Sequence, residues 1–341
     1  MDPVTHTLMS ATIARAAFPA LSGARGLLLS VIAGTFPDAD VLFRSLGDGP
    51  LDGMLLHRHF THSVFVAPLG ALVAILPFFF WKEDRERWRS LWFASAVIYL
   101  GHLFVDYCTS YGTLLLWPLT DRRFAIDIVS ICDPMLLALF FAALVWSFRP
   151  ARPLAAAVGL VFAVAWLTLG WHQRDRALEL QQKLAKERGH VIEHGRTTPM
   201  LFSITRWRSI YRAGDTLVAD EIQTPFIGAA VNGETASVPL FTLPPQDDPS
   251  FDERMRADVG KFSAFADGFV AFAPDHDDVI SDMRYSLRAG AFKPLWGIRP
   301  RPGQPAEFIR TGVSPLKTVE EMSRTRPTVP SGPGHHAKPK P

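Results

Sequence analysis

The sequence predicts a mainly α membrane domain, a helical bundle with an N-terminal re-entrant or buried helical hairpin, followed by a small α+β soluble domain. Three observations predict it. The long apolar runs of the 341-residue chain fall before Trp171. Most of the charge density falls after it, although the hydrophobic fraction of 48% is not extreme. Beyond residue 196, apolar and polar residues alternate as strands require. Residues 1–171 are therefore expected to form the membrane domain, 172–195 a charged linker helix, 196–320 the soluble domain and 321–341 a disordered tail. The net charge of +2 is too weak to argue for nucleic acid.

The first element is "MDPVTHTLMSATIARAAF". It lacks the basic start and small-residue cleavage site of a signal peptide, so it is expected to stay in the mature protein. "VTHTLMSATIARAAF" and "ARGLLLSVIAGTF" are each too short to span a bilayer, about 20 Å at 1.5 Å per residue. Pro19 and Gly23 break the pair, which suggests a hairpin. Four apolar segments then approach the roughly 20 residues of a membrane helix: 63–81, 91–107, 134–148 and 154–171. Lys82, Arg85, Arg87, Arg89, Arg149 and Arg152 lie in two loops on one side, which the positive-inside rule makes cytoplasmic. The opposite, extracytoplasmic side receives 57–62, the 108–133 loop and the C-terminal region.

After Trp171, "RDRALELQQKLAKERGH" reads as a charged helix. "LFSITRWRSIYRAGDTLVADEI" reads as a hairpin turning at Gly214-Asp215. "PSFDERMRADVGKFSAFADGF" suggests a helix, and "FVAFA", "VISDMRYSL" and "PLWGIRP" suggest strands. The tail "RPTVPSGPGHHAKPKP" has the composition of a disordered end, and its two histidines are read as solvated. Cys108 and Cys132 have no CxxC spacing and read as free thiols in apolar segments.

The membrane part carries ionisable residues that cost about 2.5–3.5 kcal/mol each on insertion. They come in groups. Asp2 and His6, and again His102 and Asp106, are four apart and share a helix face. Asp38 and Asp40 form "PDAD"; His57 and His62 bracket "HRHFTH"; Asp127 and Asp133 follow in "FAIDIVSICDP". Imidazoles mixed with carboxylates suit a divalent transition metal, Zn²⁺ first with Mn²⁺ or Fe²⁺ as alternatives, in a site of one or two ions. Taken singly, each group has an ordinary structural role open to it: an N-cap for Asp2, a hydrogen-bonded core position for His102, a turn for Asp38 and Asp40.

Together, "MDPVTHTLMS", "GTFPDAD", "HRHFTHS" and "GHLFVDYCTSYGTLLLWPLTDRRFAIDIVSICDP" resemble the YdjM-type family of membrane-bound metal-dependent hydrolases. The resemblance covers roughly residues 1–171. It extends distantly to the zinc-dependent phospholipase C and P1 nuclease group, whose N-terminal tryptophan ligand this chain lacks. The resemblance implies Asp2, His6, Asp38, His57, His62, His102, Asp106 and Asp127 as metal ligands. Asp40 or Asp133 would be a general base, and Arg58 an oxyanion-binding group whose alternative is a salt bridge to an aspartate. The implied function is hydrolysis of phosphoesters or lipid-linked esters by a multi-pass inner-membrane protein that meets membrane lipid and no nucleic acid. An ion or metal transporter and a membrane-anchored scaffold with a structural metal are the competing readings.

Overall fold

The structure is a computed structural model that describes residues 1–18, 21, 23–46, 49–149 and 154–311. Pro19, Arg152 and the tail 321–341, on which parts of the sequence reading fell, lie outside the described residues, as do 312–320 of the expected soluble domain.

The N-terminal half is helical. Helix α1 (Pro3–Ala17) starts at Pro3 behind the Asp2 cap, whose carboxylate accepts from Thr5 N. Helix α2 (Ala24–Thr35) runs without a break into a 3₁₀ helix (Phe36–Leu46). The two helices pack together as the expected hairpin, but the second is longer than the sequence suggested. With its 3₁₀ extension, Ala24–Phe43 reaches 20 residues and is, among the described residues, one of two helices long and apolar enough to cross a membrane. The other is α8 (Ala155–Glu187). A third crossing exists if Pro50–His62 and Ala67–Phe80, bent 84° apart, count as one. The segment 63–81 is thus not one continuous span. Its helix α4 (Ala67–Ile75) is followed by a 3₁₀ turn from Leu76 to Phe80, with Pro77 at its first turn. Helices α3 (Pro50–Leu56), α5 (Lys82–Glu86), α6 (Trp88–Tyr107) and α7 (Pro134–Ser147) complete this half.

Helix α1 packs against α2, α6, α7 and α8. Two apolar clusters flank it, one around Met9, Val105, Leu136 and Phe140, the other around Leu29, Ile75, Phe78 and Ile98. Close approach needs small residues. A Cβ on Gly34 would fall 1.7 Å from Ser10 Oγ, and one on Gly70 2.4 Å from the Tyr99 ring. These two glycines let α2 meet α1 and α4 meet α6.

The C-terminal half holds two antiparallel four-stranded sheets in the orders β1-β2-β3-β4 and β5-β6-β7-β8. The first comprises β1 (His194–Pro199), β2 (Arg206–Ala213), β3 (Thr216–Gln223) and β4 (Val231–Pro239). Its central hairpin turns at Gly214, whose φ of 59° suits glycine. The second comprises β5 (Val270–Ala273), β6 (His276–Asp282), β7 (Gly297–Arg301) and β8 (Gln304–Ile309), covered by α9 (Glu253–Phe265).

Among the described residues there is no separate linker helix. Helix α8 is continuous for 33 residues and passes from the apolar bundle onto β1, β2 and β3. Its polar face is used for docking: Gln173 donates to Thr224 O at 2.9 Å, and Gln181 to Ser209 Oγ and Arg196 O, each at 3.0 Å. A second tie joins the halves. Leu51 of α3 is buried among Val259, Phe262, Ile280 and Ile298, so α3 belongs to the core of the second sheet. Arg196 grips Asp127 at 2.6 and 3.1 Å, and Tyr285 Oη donates to Ser110 O at 2.9 Å.

Candidate metal centre

Four ligating atoms, one each from Asp38, His62, His102 and Asp106, all lie within 4.8 Å of one another. Each comes from a different local logic. His102 and Asp106 sit one turn apart on α6 and face the same way. Asp38 lies on the 3₁₀ helix that continues α2. His62 closes a short 3₁₀ turn, Phe60–His62, just beyond α3. That turn is pinned by Tyr99 Oη donating to Thr61 O at 2.5 Å. It is also anchored from the sheet half through α3, and from the loop between α6 and α7 through Arg123, which donates to Leu55 O at 2.6 Å and His57 O at 3.1 Å.

The spacing is that of a coordination sphere. His62 Nε2 is 3.2 Å from both His102 Nε2 and Asp106 Oδ2. His102 Nε2 is 3.4 Å from Asp106 Oδ2, and Asp38 Oδ1 is 3.6 and 3.7 Å from the two imidazole nitrogens. Ligands on a tetrahedron of 2.0–2.2 Å radius lie about 3.3–3.6 Å apart.

The surroundings fix which atoms face inward. His102 Nδ1 is 2.7 Å from Gly34 O, which can only accept, so the ring proton sits on Nδ1 and Nε2 offers its lone pair. His62 Nδ1 faces Thr61 Oγ1 at 3.1 Å and Asp40 Oδ2 at 3.5 Å, again leaving Nε2 inward. Asp106 is divided. Its Oδ1 meets the chain's own cations, Arg58 Nη2 at 3.0 Å and the Met1 amino group, together with His6 Nε2 at 3.2 Å. Its Oδ2 is buried and has no hydrogen-bond partner. A buried carboxylate oxygen facing two imidazole lone pairs is unfavourable unless a cation lies between them. The donor set therefore fits a divalent metal.

The structure does not bring every expected ligand to this point. Asp2 spends its carboxylate on Thr5, at 2.9 Å to N and 2.6 Å to Oγ1, as the cap of α1. Asp127 faces the sheet half and is held by Arg196. Asp133, expected as a base, caps α7 through Leu136 N at 2.8 Å. His57 stands outside the four, with Nδ1 3.0 Å from Asp40 Oδ1. His6 lies beside the group, its ring stacked 3.6 Å from that of His102. Asp40 is fully buried, with Oδ2 accepting from Arg58 N at 2.7 Å, so it orients its neighbours and does not reach into the cluster. Arg58 adopts the salt-bridge alternative, on Asp106, and Nη1 also donates to Thr109 Oγ1 at 2.8 Å. Its φ of 59° is uncommon for a side-chain-bearing residue and aims it inward.

The family model of the YdjM inner membrane protein matches residues 1–177, which carry this cluster. The chain belongs to that family. It is also similar to the uncharacterized protein YfhP of Bacillus subtilis (strain 168), 22% identical over 306 residues, covering 84% of this chain and 87% of that protein. No solved structure matches the chain.

Sequence reading missed the atoms that orient the ligands: Gly34 O, Thr61, Thr109 and Tyr99. Two signals were available. Gly34 directly precedes "TFPDAD", and Thr61 lies inside "HRHFTH". Both cysteines are free, Cys108 buried and Cys132 partly so.

Proposed function

We propose that this YdjM-family protein is a membrane-bound, metal-dependent hydrolase of phosphoesters or lipid-linked esters. The observation that supports it most is the bare, buried Oδ2 of Asp106 set among three further ligand atoms at coordination spacing. A divalent ion there, Zn²⁺ by its two-imidazole, two-carboxylate donor set, would supply Lewis acidity and acidify water near neutral pH.

The chain's own groups do the rest. Asp38, His62, His102 and Asp106 hold the ion, with Gly34 O and Asp40 fixing the imidazole orientations. Arg58 and His6 position Asp106. Asp38 keeps 22% of its side chain exposed and His57 21%, whereas the other three ligands are fully buried, so the approach runs past this pair. His57, oriented by Asp40, is the group we assign to proton transfer at that entrance. The basic 82–89 loop argues for an extracytoplasmic site.

The test is metal content and turnover measured together. Purified wild type should carry stoichiometric zinc and cleave at least one member of a phosphodiester panel. His62→Ala and Asp106→Ala should lose both. Wild type with no transition metal would sink the proposal, and metal-loaded protein inactive on every ester would return the site to a structural role.

A further inference from the structure

A second site lies where the two halves meet. A cleft of about 920 Å³ is walled by the 121–127 loop, the start of β1, α8 and α9, and none of the four metal-cluster residues lines it. We propose that this cleft binds the phosphate group of an anionic ester at the level of the lipid headgroups.

The lining is rich in cations: Arg122, Arg123, Arg174, Arg196, Arg284 and Lys261. Half of them are occupied. Arg196 holds Asp127, Arg284 holds Asp282 at 2.7 Å behind the wall, and Arg123 donates to backbone carbonyls. The other three keep donors to offer. Arg122 is exposed, its guanidinium 5.6 Å over the Phe124 ring, and among the described residues no carboxylate pairs with it. Arg174 Nε is buried without a hydrogen-bond partner, and its Nη1 is 3.8 Å from Asp175. Lys261 Nζ is 3.7 Å from Asp52, beyond hydrogen-bond length. Of the three acidic lining residues, Asp127 is taken by Arg196, and Asp267 is shared by Arg196 at 3.3 Å and His194 at 3.1 Å. Among the described residues that line the cleft, only Asp121 opposes an incoming anion without such a partner.

Guanidinium and ammonium groups lining one cleft offer donors suited to the oxygens of a phosphate ester. The volume stands near the top of the range for ligand pockets, so a phosphate can enter with its substituent. The height is set by α8. Its apolar stretch ends at Trp171, and Arg174 comes three residues later, about 4.5 Å further along the axis. Tyr107 also lines the cleft, at the end of α6, where interfacial aromatics belong.

The test uses the purified full-length chain in detergent. Native mass spectrometry compares retention of phosphatidylglycerol with that of phosphatidylcholine, and calorimetric titration with glycerol 3-phosphate reads a soluble ester. Arg122→Gln with Arg174→Gln should weaken binding about tenfold or more. Arg122→Lys with Arg174→Lys, which keeps both charges, should bind more tightly than the glutamine pair. Lys261→Gln, on the exposed side of α9, should also weaken binding and serves if the double variant fails to fold. His62→Ala should leave cleft binding in place, which separates this result from any failure of the hydrolase reading. Selective phosphatidylglycerol retention assigns the cleft to a headgroup; glycerol 3-phosphate binding assigns it to a soluble ester. Wild type that binds neither probe, or glutamine and Lys261 variants that bind like wild type, would overturn the proposal.

Discussion

One buried carboxylate of the helical half, Asp106, is treated differently from those of the sheet half. In the sheet half, each has its own counter-charge or donor set. Asp220 is held by Arg188 at 2.6 and 3.0 Å, and Asp282 by Arg284 at 2.7 and 3.0 Å. In the helical half, Asp106 matches only one of its oxygens to the chain's cations, and the other faces imidazoles across 3.2 and 3.4 Å. The first pattern completes itself with residues of the sequence. The second leaves an oxygen that a cation from outside could complete, and that difference distinguishes a structural ion pair from a candidate binding site.

The contrast can be broken most directly by removing one carboxylate from each half. Asp282→Asn leaves a buried Arg284 without its anion and should destabilise the protein by about 3–5 kcal/mol, read as a lowered thermal midpoint with metal present or absent. Asp106→Asn should abolish stoichiometric metal by elemental analysis, and its midpoint should no longer respond to chelator. Equal chelator responses in wild type and Asp106→Asn would erase the contrast.

Truncating the tie between the halves should come next in size. Leu51→Ala removes a buried side chain from the second sheet's core, at a cost of about 2–5 kcal/mol. Because α3 leads directly into His57–His62, metal affinity should fall with it, measured by competition with a chromophoric chelator. Metal affinity that stays unchanged would show that the sheet half does not support the cluster.

A smaller effect is expected at Gly34. Gly34→Ala places a methyl against Ser10 and must shift the carbonyl that holds His102 Nδ1. Overpacking of this kind costs about 1–3 kcal/mol, and loss of a ligand's orienting partner costs about 10–100-fold in metal affinity. The competition assay reads the second, and unaltered affinity would show that the carbonyl is dispensable.

The smallest effect belongs to a junction pair. Burial alone would raise the Asp267 carboxyl, but the hydrogen bond from His194 and the Arg196 charge outweigh it and hold it below the ordinary carboxylate value. The folded value is depressed, so its contribution is complete above the unfolded carboxylate pKa of about 3.9 and is lost as pH falls through the folded value. Asp267→Asn should therefore flatten part of the acid limb of the stability curve, by a few tenths of a kcal/mol for a group this exposed. A limb identical to wild type would show the pair to be silent.

What the sequence made legible follows the range of each interaction. His102 and Asp106 share a helix face, and "PDAD" and "HRHFTH" carry their ligands within a few residues, so local spacing located them. The hairpin at Gly214, helix α9 and strands β5, β6 and β7 were legible for the same reason, whereas β8 was not read. Asp127 was not, because its partner Arg196 lies 69 residues away in a strand. Asp2 and Asp133 each precede a proline that opens a helix, and in both the capping role absorbed the carboxylate. The break at 172 failed because a change from apolar to charged composition does not interrupt helical hydrogen bonding. α8 simply changes its surroundings, from apolar helices to a sheet.

That unbroken α8 works as a phase lock. One residue inserted near Trp171 would turn everything beyond it by about 100° and carry Gln173 and Gln181 off the sheet, whereas seven residues, nearly two full turns, would restore the angle but lift the sheet half by about 10 Å. Neither change leaves α3 within reach of its core. The length of one helix, counted to the residue, therefore sets how far from the apolar bundle the sheet half may stand, and evolution can alter that distance only by rebuilding both contacts at once.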